Sequence, residues 1–359
     1  MKKLVTVLGA RPQFIKAAVL SRIIRERKEL EEVIVHTGQH FDANMSRVFF
    51  EEMGIPEPKY HFGISGLGHA AMTGRMLEAL EPVLLEERPE MVVVYGDTNS
   101  TLAGALAAKK LGFRLAHVEA GLRSFNLAMP EEINRILTDR ISDLLFCPTD
   151  AAMRNLADEG FAKFPCRVVQ SGDIMKDAVA YYSQVSASRS TVITDLGLRE
   201  RDFILVTLHR QENTDDPKRL TRILKGLDRV SDQYELVFPV HPRTAKAIRE
   251  QGLQSRCKMI DPVGYFDMME LLKTCSMVIT DSGGLQKEAF FHHKPCLIAR
   301  EETEWLELVE SGYARIVGSD PDRLFAGVME YSGYVPDFSR QLYGDQAGLR
   351  IYEEIRQML

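Results

Sequence analysis

The chain is poor in cysteine, and none of its cysteines are grouped. The five cysteines stand at positions 147, 166, 257, 275 and 296, an odd number without CxxC spacing. This distribution argues against both a disulfide framework and a structural zinc site. Because such thiols stay reduced in a cytoplasm, we expect a cytoplasmic protein.

The sequence also lacks a basic excess and any long apolar run. Its formal net charge is −6, which argues against broad electrostatic binding to nucleic acid. The apolar run LVTVL near the N-terminus is too short for a signal peptide, and no stretch approaches the length of a membrane span. We therefore expect small molecules or proteins as partners, and neither nucleic acid nor a membrane.

The pattern that is present predicts an α/β fold with two Rossmann-like domains. The 359 residues, 45% of them hydrophobic, suit two domains of roughly 150 to 180 residues each. Short β-branched runs alternate with amphipathic helical patterns, which is typical of parallel sheets. Strands are predicted at 4–9, 32–37, 91–97, 114–119, 143–148 and 167–172, and again at 203–209, 234–242, 257–261, 277–283, 296–299 and 314–318. The predicted domains are 1–172 and 173–342, with a linker within about 170–195 and a last amphipathic helix in 343–359.

Ligands of doubly wound sheets bind beyond the carboxyl ends of the strands, so the polar residues there are informative. In TDSGGLQKE, residues Ser282, Gly283 and Gly284 stand between a strand and a helix, where free N–H groups favour a phosphate. Glu288, further into that helix, is suited to reach a ribose hydroxyl. The alternative is that Ser282 caps the helix and the glycines only form a tight turn.

Two cations follow the first predicted strand. Arg11 and Lys16 lie in GARPQFIK, where Pro12 suits the first turn of a helix. Together they would hold a diphosphate. The alternative is that both are ordinary surface cations.

Carboxylates end the third and fourth predicted strands. If Asp97 and Glu119 converge on one cleft, they suit proton transfer, with one as acid and the other as base. The alternative for Asp97 is capping of the following helix. Glu131 and Glu132 follow Pro130 in a first helical turn, where the helix dipole favours acids, so each taken alone is best interpreted as a dipole-stabilising residue.

In the second half, His209 and Arg210 end the strand of TLHRQEN and offer a titratable imidazole beside a fixed cation. A lone histidine is more often structural, so this site is only a candidate. The chain has no HExxH or comparable metal spacing, so no catalytic metal is expected.

Seven motifs in order resemble the non-hydrolysing UDP-N-acetylglucosamine 2-epimerase family. They are GARPQFIK, GDTNSTLAGAL, HVEAGLRSFN, PEEINR, TLHRQEN, PVHPR and TDSGGLQKEAFFHHKPCLI. The resemblance implies two Rossmann-like domains of the glycosyltransferase-B type, an active site in the cleft between them, and UDP bound mainly by the second domain. It also implies a homodimer, and a last helix that returns to the first domain.

The resemblance also implies the chemistry. UDP is eliminated to give a glycal and then added back, with the proton returned to the other face of carbon 2, and no cofactor is needed. Asp97, Glu119 and Glu131 match the acid/base carboxylates, and His209 matches a histidine near the diphosphate. The positions that match UDP-holding residues are Arg11, Lys16, Ser282, Gly283, Gly284 and Glu288, and Arg210 is assigned to the same group. Which carboxylate removes the proton stays open.

Two departures point to a subgroup. Many members that act on UDP-N-acetylglucosamine have Glu where this chain has Gln13, and Arg where it has Trp305. The chain is more similar to members that act on UDP-2,3-diacetamido-2,3-dideoxy-glucuronic acid, whose manno-configured product serves lipopolysaccharide O-antigen. The alternatives are a plain UDP-N-acetylglucosamine 2-epimerase, a glycosyltransferase on the same fold, and a sugar-nucleotide sensor without catalysis.

Overall fold

The computed structural model describes residues 1–39, 50, 52–333 and 336–359. The chain divides into two compact units. Unit 1 consists of Met1–Ala180 and Gln341–Leu359, and unit 2 consists of Tyr181–Arg340.

Unit 1 is built on a seven-stranded sheet in the order β3-β2-β1-β4-β5-β6-β7. Every strand pair is parallel, and the central strands are buried along their length, which explains their runs of valine and leucine. The strands are β1 (Lys2–Leu8), β2 (Leu30–His36), β3 (Tyr60–His61), β4 (Met91–Tyr95), β5 (Arg114–Val118), β6 (Leu144–Cys147) and β7 (Arg167–Gln170).

Helices connect most of these strands, because parallel neighbours need a crossover connection. They are α1 (Arg11–Arg27), α2 (His69–Glu87), α3 (Asn99–Lys110), α4 (Pro130–Ile141), α5 (Asp150–Asp158) and α6 (Ile174–Arg189), with a short 3-10 turn at Phe161–Lys163. Pro12 and Pro130 each stand in the first turn of a helix, where a missing N–H costs nothing.

The C-terminal helix α15 (Ala347–Met358) belongs to unit 1 and packs on α1. A Cβ atom at Gly348 would lie 2.5 Å from a methyl of Val19, so this glycine permits the close approach of the two helices. The N–H of Gly348 donates to Asp177 at 2.7 Å, which fixes the start of α15 against α6.

Unit 2 repeats the plan with a six-stranded parallel sheet in the order β10-β9-β8-β11-β12-β13. Its strands are β8 (Phe203–Thr207), β9 (Glu235–Pro239), β10 (Lys258–Ile260), β11 (Met277–Thr280), β12 (Cys296–Ile298) and β13 (Ala314–Ile316). Its helices are α7 (Val192–Asp195), α8 (Gln211–Thr214), α9 (Pro217–Val230), α10 (Pro242–Glu250), α11 (Tyr265–Thr274), α12 (Gly283–Phe291), α13 (Leu306–Glu310) and α14 (Pro321–Gly333).

Two local features differ from the sequence-based expectation. The strand β3, only two residues long, was not predicted, because so short a run carries no period. The boundary between the units, after Ala180, falls within the region proposed as a linker, 170–195, but this region is largely helical and forms α6 and α7. The region is rich in serine and other polar residues, but it also contains the buried Ala178, Val179 and Tyr182. Their burial explains why it is helical although its composition resembles that of a linker.

The strand order reverses at one point in each sheet, between β1 and β4 in unit 1 and between β8 and β11 in unit 2. Such switch points are where open α/β sheets bind ligands. Within the described ranges, no helix is long and apolar enough to cross a membrane, and no cluster of His, Cys, Asp and Glu is arranged to hold a metal ion.

Candidate active site

In unit 1, the loops after β1, β4 and β5 meet at the switch point. Lys16 lies in the second turn of α1 with its side chain buried, and its ammonium group pairs with the carboxylate of Glu119 at the end of β5. The exposed fractions of the two side chains are 6% and 10%. The surface-cation interpretation of Lys16 is therefore wrong, whereas Arg11 is the first residue of α1 and half-buried.

Gly96 leaves room for this ion pair. It has a φ of 63°, and a Cβ atom there would lie 3.2 Å from the Glu119 carboxylate and 3.5 Å from the Lys16 ammonium. A side chain at 96 would therefore be strained in its backbone and crowd the pair.

Gln13 is fully buried and connects the loop after β1 to the end of β4 and the start of α3. Its amide oxygen accepts from the N–H of Gly9 and Ala10 at 2.8 and 3.0 Å. Its amide nitrogen donates to the carbonyl of Tyr95 at 2.8 Å and to Thr101 at 3.0 Å. A glutamate could not donate to a carbonyl when ionised, so the amide is matched to this position by the backbone around it.

Asp97 follows β4 and pairs with Arg135 of α4, with 2.5 Å between carboxylate and guanidinium. It does not cap the next helix, because Thr98 does so and accepts from the N–H of Thr101 at 3.2 Å. The capping alternative for Asp97 is thus wrong. Asn134 of α4 also donates to the Asp97 carbonyl at 2.9 Å.

The two glutamates that begin α4 occupy different surroundings. Glu131 is half-buried at the start of the helix. Glu132 is completely buried and accepts from the N–H of Ser124 and of Phe125, each at 2.9 Å, and from Arg135 at 3.1 Å. The interpretation of Glu132 as an ordinary first-turn acid is therefore wrong, because it holds the loop that follows Glu119.

A buried charged network lies behind these carboxylates. Asp139 of α4 binds both His117 and Arg123 at 2.7 Å, and Arg123 in turn forms a two-pronged pair with Glu159 at 2.6 and 2.9 Å. Burial alone would raise the pKa of Asp139, but the hydrogen bonds and charges of His117 and Arg123 outweigh it and hold that pKa below its usual range. None of these four residues belongs to the site predicted from the sequence, although Glu132, Arg135 and Asp139 stand at helical spacing on one face of α4.

In unit 2, the buried Asp281 organises the switch point. This carboxylate follows β11 and accepts from the backbone N–H of His209 and Arg210, each at 3.0 Å, and from the Asn213 amide at 3.0 Å. The sequence-based site omitted Asp281, although an acid directly before the SGG turn was a visible signal. The imidazole of His209 is 39% exposed and lies 3.5 Å from the same carboxylate.

The SGG turn begins α12, with Ser282 at the N-cap position. Ser282 forms no side-chain cap, and its N–H donates to Thr280 at 2.9 Å. A Cβ atom at Gly283 would collide with the carboxylate of Glu304, whereas nothing lies within 4 Å of one at Gly284. A side chain at position 283 would therefore displace the Glu304 carboxylate, whereas Gly284 leaves the start of the helix open to a ligand. Glu288 is half-buried two turns into α12.

Glu304 connects this turn to two arginines. Arg300 donates to it at 2.8 Å, and Arg210 lies 3.8 Å away. Beside it, the ammonium of Lys287 lies 3.9 Å from the ring centre of the buried Trp305. Trp305 therefore fills the position of the arginine expected from UDP-N-acetylglucosamine epimerases with an indole that contacts a buried cation.

Within unit 1, Lys16 pairs with Glu119, and Gly96, the residue before Asp97, lies beside that pair. Within unit 2, the backbone of His209 and Arg210 is bound to Asp281 before the SGG turn. Unit 1 thus holds carboxylates paired with cations, and unit 2 combines a helix N-terminus with His209 and Arg210. Such an arrangement is chemically suited to an anionic ligand and to proton transfer.

Comparison with known proteins identifies the class. Residues 22–356 match the family model for UDP-N-acetylglucosamine 2-epimerase. The UDP-2,3-diacetamido-2,3-dideoxy-D-glucuronate 2-epimerase of Pseudomonas aeruginosa is 52% identical over 359 residues, covering 99% of this chain and 100% of that protein. The Methanocaldococcus jannaschii UDP-GlcNAc 2-epimerase, solved with UDP-GlcNAc and UDP, superimposes with a TM-score of 0.92 at 39% identity and 99% coverage of both chains. A Staphylococcus aureus MnaA–UDP structure superimposes with a TM-score of 0.89 at 34% identity, over 100% of this chain and 97% of that one.

The chain belongs to the UDP-N-acetylglucosamine 2-epimerase family. It is accordingly a UDP-sugar 2-epimerase, an isomerase, and the predicted fold class of two Rossmann-like domains of the glycosyltransferase-B type is confirmed.

Proposed function

We propose that the protein inverts carbon 2 of UDP-2,3-diacetamido-2,3-dideoxy-D-glucuronate and forms the manno epimer. The observation that carries this substrate is the 52% identity with the P. aeruginosa enzyme of that name along essentially the whole chain. Gln13 and Trp305 support the same choice, since both depart from the UDP-N-acetylglucosamine pattern and both are built into the packing around them.

The reaction proceeds by elimination and re-addition of UDP. A carboxylate takes the proton from carbon 2 while the bond from carbon 1 to the diphosphate oxygen breaks, which gives a glycal and UDP. The same diphosphate oxygen then attacks carbon 1, and a carboxylic acid returns a proton to the opposite face of carbon 2. No electron is transferred to an acceptor, so the route is redox-neutral.

In unit 1, Asp97, Glu119 and Glu131 are the proposed acid/base groups. The buried pair of Glu119 with Lys16 and the half-buried pair of Asp97 with Arg135 support this assignment, because each carboxylate is held beside a fixed cation at a strand end. Arg11 and Lys16 are proposed to bind the diphosphate, whose charge they would neutralise as it leaves.

In unit 2, the start of α12 is the proposed UDP site. Gly283 and Gly284 would offer backbone N–H groups to a phosphate and Ser282 its hydroxyl, since the Ser282 N–H already donates to Thr280, and Glu288 is suited to a ribose hydroxyl. His209 and Arg210 complete the set, and their backbone N–H groups are fixed by Asp281. His209 is proposed to act on the departing diphosphate.

Proton exchange in deuterium oxide tests the function. The protein is incubated with the diacetamido uronate or with UDP-N-acetylglucosamine, and NMR follows deuterium at carbon 2 and the appearance of the manno epimer. We expect exchange and epimer with the uronate. Exchange with UDP-N-acetylglucosamine alone would contradict the proposed substrate, and the Glu119→Gln protein serves as the inactive control.

The second candidate is the UDP-N-acetylglucosamine 2-epimerase reaction. The M. jannaschii structure, with 39% identity and UDP-GlcNAc bound, favours it. The ratio of kcat/KM for the two sugars decides between these substrates. A glycosyltransferase would show no exchange at carbon 2 and would transfer sugar to an acceptor.

We also infer a cytoplasmic homodimer that supplies a manno-configured uronate for surface polysaccharide such as O-antigen. The five free thiols, four of them buried, support a reducing compartment. Sedimentation equilibrium of the purified protein tests the dimer, which a mass of one chain at micromolar concentration would contradict.

A further inference from the structure

The carboxylate of Asp139 contacts three groups that flank Glu119 in the chain. His117, two residues before Glu119, binds it through Nδ1 at 2.7 Å. The N–H of Gly121, two residues after, donates to it at 3.0 Å, and Arg123 donates to it at 2.7 Å. Asp139 is wholly buried, so the turn that carries Glu119 is fixed on both sides from a single interior point.

Glu119 needs such support because its backbone is strained. Its φ is 76°, in the left-handed region that residues other than glycine rarely occupy. Conformations of this kind persist only where the surroundings determine them, and they concentrate at functional sites. Gly121 follows with a φ of 80°, and a Cβ atom there would lie 2.5 Å from the Ala152 carbonyl oxygen, so the turn has little freedom to relax.

The same histidine reaches the turn of the second carboxylate. Nε2 of His117 lies 2.7 Å from the carbonyl oxygen of Gly96, the residue before Asp97. Each ring nitrogen of His117 thus faces a hydrogen-bonding oxygen, Nδ1 the Asp139 carboxylate and Nε2 the Gly96 carbonyl. One imidazole therefore joins the Glu119 turn, the Asp97 turn and Asp139.

We propose that His117 and Asp139 are positioning residues, which hold Glu119 and Asp97 in the relative placement that proton transfer at carbon 2 requires. This inference rests on the proposed function. Neither residue belongs to the proposed diphosphate site, and both are completely buried. Their loss should therefore reduce kcat and leave UDP binding unchanged.

Two substitutions of His117 cut its contacts one at a time. In His117→Asn the side-chain amide nitrogen can replace Nδ1 and keep the hydrogen bond to Asp139, whereas the contact with the Gly96 carbonyl is lost. In His117→Gln it can replace Nε2 and keep Gly96, whereas the Asp139 contact is lost. We expect each to lower kcat for carbon-2 exchange by about tenfold or more, with the Kd for UDP within about threefold of the unmodified protein.

Asp143→Asn is the matched control. Asp143 binds the N–H of Leu115 at 2.7 Å and Lys109 at 2.8 Å, so it fixes the other end of strand β5 by the same kinds of contact. It should lower the melting temperature and leave kcat unchanged. Rates are measured well below each melting temperature and are divided by the UDP-binding stoichiometry, so that unfolded protein does not count as lost activity.

The inference is overturned if either His117 variant keeps kcat within about threefold, or if the Kd for UDP rises as much as kcat falls. An unmodified protein that exchanges carbon-2 protons in neither sugar would instead refute the proposed function. The two failures are therefore distinguishable.

Discussion

The two units share a strand order and use their switch points differently. In unit 1, an uncharged side chain, Gln13, joins the loops after β1 and β4, and the carboxylates Asp97 and Glu119 are turned to cationic side chains. In unit 2, the carboxylate of Asp281 joins the equivalent loops after β8 and β11. It accepts hydrogen bonds from the backbone N–H groups of His209 and Arg210. One Rossmann-like frame thus holds the proposed acid/base groups in unit 1 and orders the backbone of the proposed anion site in unit 2.

The largest change in activity is expected from a substitution of Glu119, which should affect proton transfer but not UDP binding. Glu119→Gln keeps the size of the side chain and removes the proton-transferring group, so we expect kcat to fall by about a thousandfold. The Kd for UDP, measured by calorimetry, should change by less than about threefold. An equal loss of UDP affinity would show that unit 1 and unit 2 do not divide the work in this way. The exposed Glu78→Gln is the control.

The converse substitution is Asp281→Asn in unit 2. An amide leaves at least one of the three buried N–H donors poorly paired, so the free energy of unfolding should fall by about 3 kcal/mol. The Kd for UDP should rise by about tenfold or more, because the backbone of His209 and Arg210 loses its anchor. Unchanged UDP affinity in a folded variant would contradict the organising role of Asp281. Asp322→Asn, on the surface of the same unit, is the control.

Acid should weaken unit 1 through Glu87, which is buried and binds Lys3 at 2.8 Å, Tyr60 at 2.6 Å, and Lys59. Burial would raise the pKa of Glu87, but these hydrogen bonds prevail and lower it from 4.5 to about 2. Because the folded pKa is the lower one, the contribution is complete above pH 4.5 and is lost as the pH falls through about 2.

Glu87→Gln should therefore lower the free energy of unfolding near neutral pH by about 2 kcal/mol, since the exposed Lys59 contributes little. Denaturant unfolding at several pH values should show this difference shrinking towards zero near pH 2. A difference that stays constant with pH would contradict the ionic origin. Glu86→Gln, its exposed neighbour on α2, is the control.

The smallest effect is expected at the cation–π contact of unit 2. Lys287→Met keeps a long apolar side chain and removes the charge over Trp305, so the free energy of unfolding should fall by about 1 kcal/mol. Since Trp305 is the one tryptophan of the sequence, its fluorescence reports this site directly. The exposed Lys225→Met is the control and should leave the emission spectrum of Trp305 unchanged. If Lys287→Met gives the same spectrum as this control, the contact between Lys287 and Trp305 is contradicted.

The parallel α/β class was predictable because strands buried on both faces appear as continuous apolar runs such as MVVVY in β4 and FILVT in β8. The sequence also identified Asp97 and Glu119 as candidates, because polar residues directly after apolar runs can be recognised without a structure. Lys16 was identified from its place in the first turns after β1. Asp281 also follows an apolar run directly, but the prediction was based on the Ser282-Gly283-Gly284 turn after it and omitted the acid.

The network behind the site was not predictable. Glu132 and Arg135 look like ordinary helix residues, since first-turn acids and interior arginines are common on surfaces. Their burial arises only when α4 packs against the loops after β4 and β5. Likewise, the sequence marks Gln13 only as a departure from the family pattern, and its role in joining two loops appears only when its four backbone and side-chain partners are assembled around it.

By itself, the sequence determined the fold class, the order of elements and the residue types that reach the strand ends, because hydrophobic periodicity is a local property. Only the tertiary structure decided which charges are paired and which polar groups hold the backbone. Hydrogen bonds and ion pairs depend on distances between residues far apart in the chain, as with Lys16 and Glu119, and packing alone sets those distances.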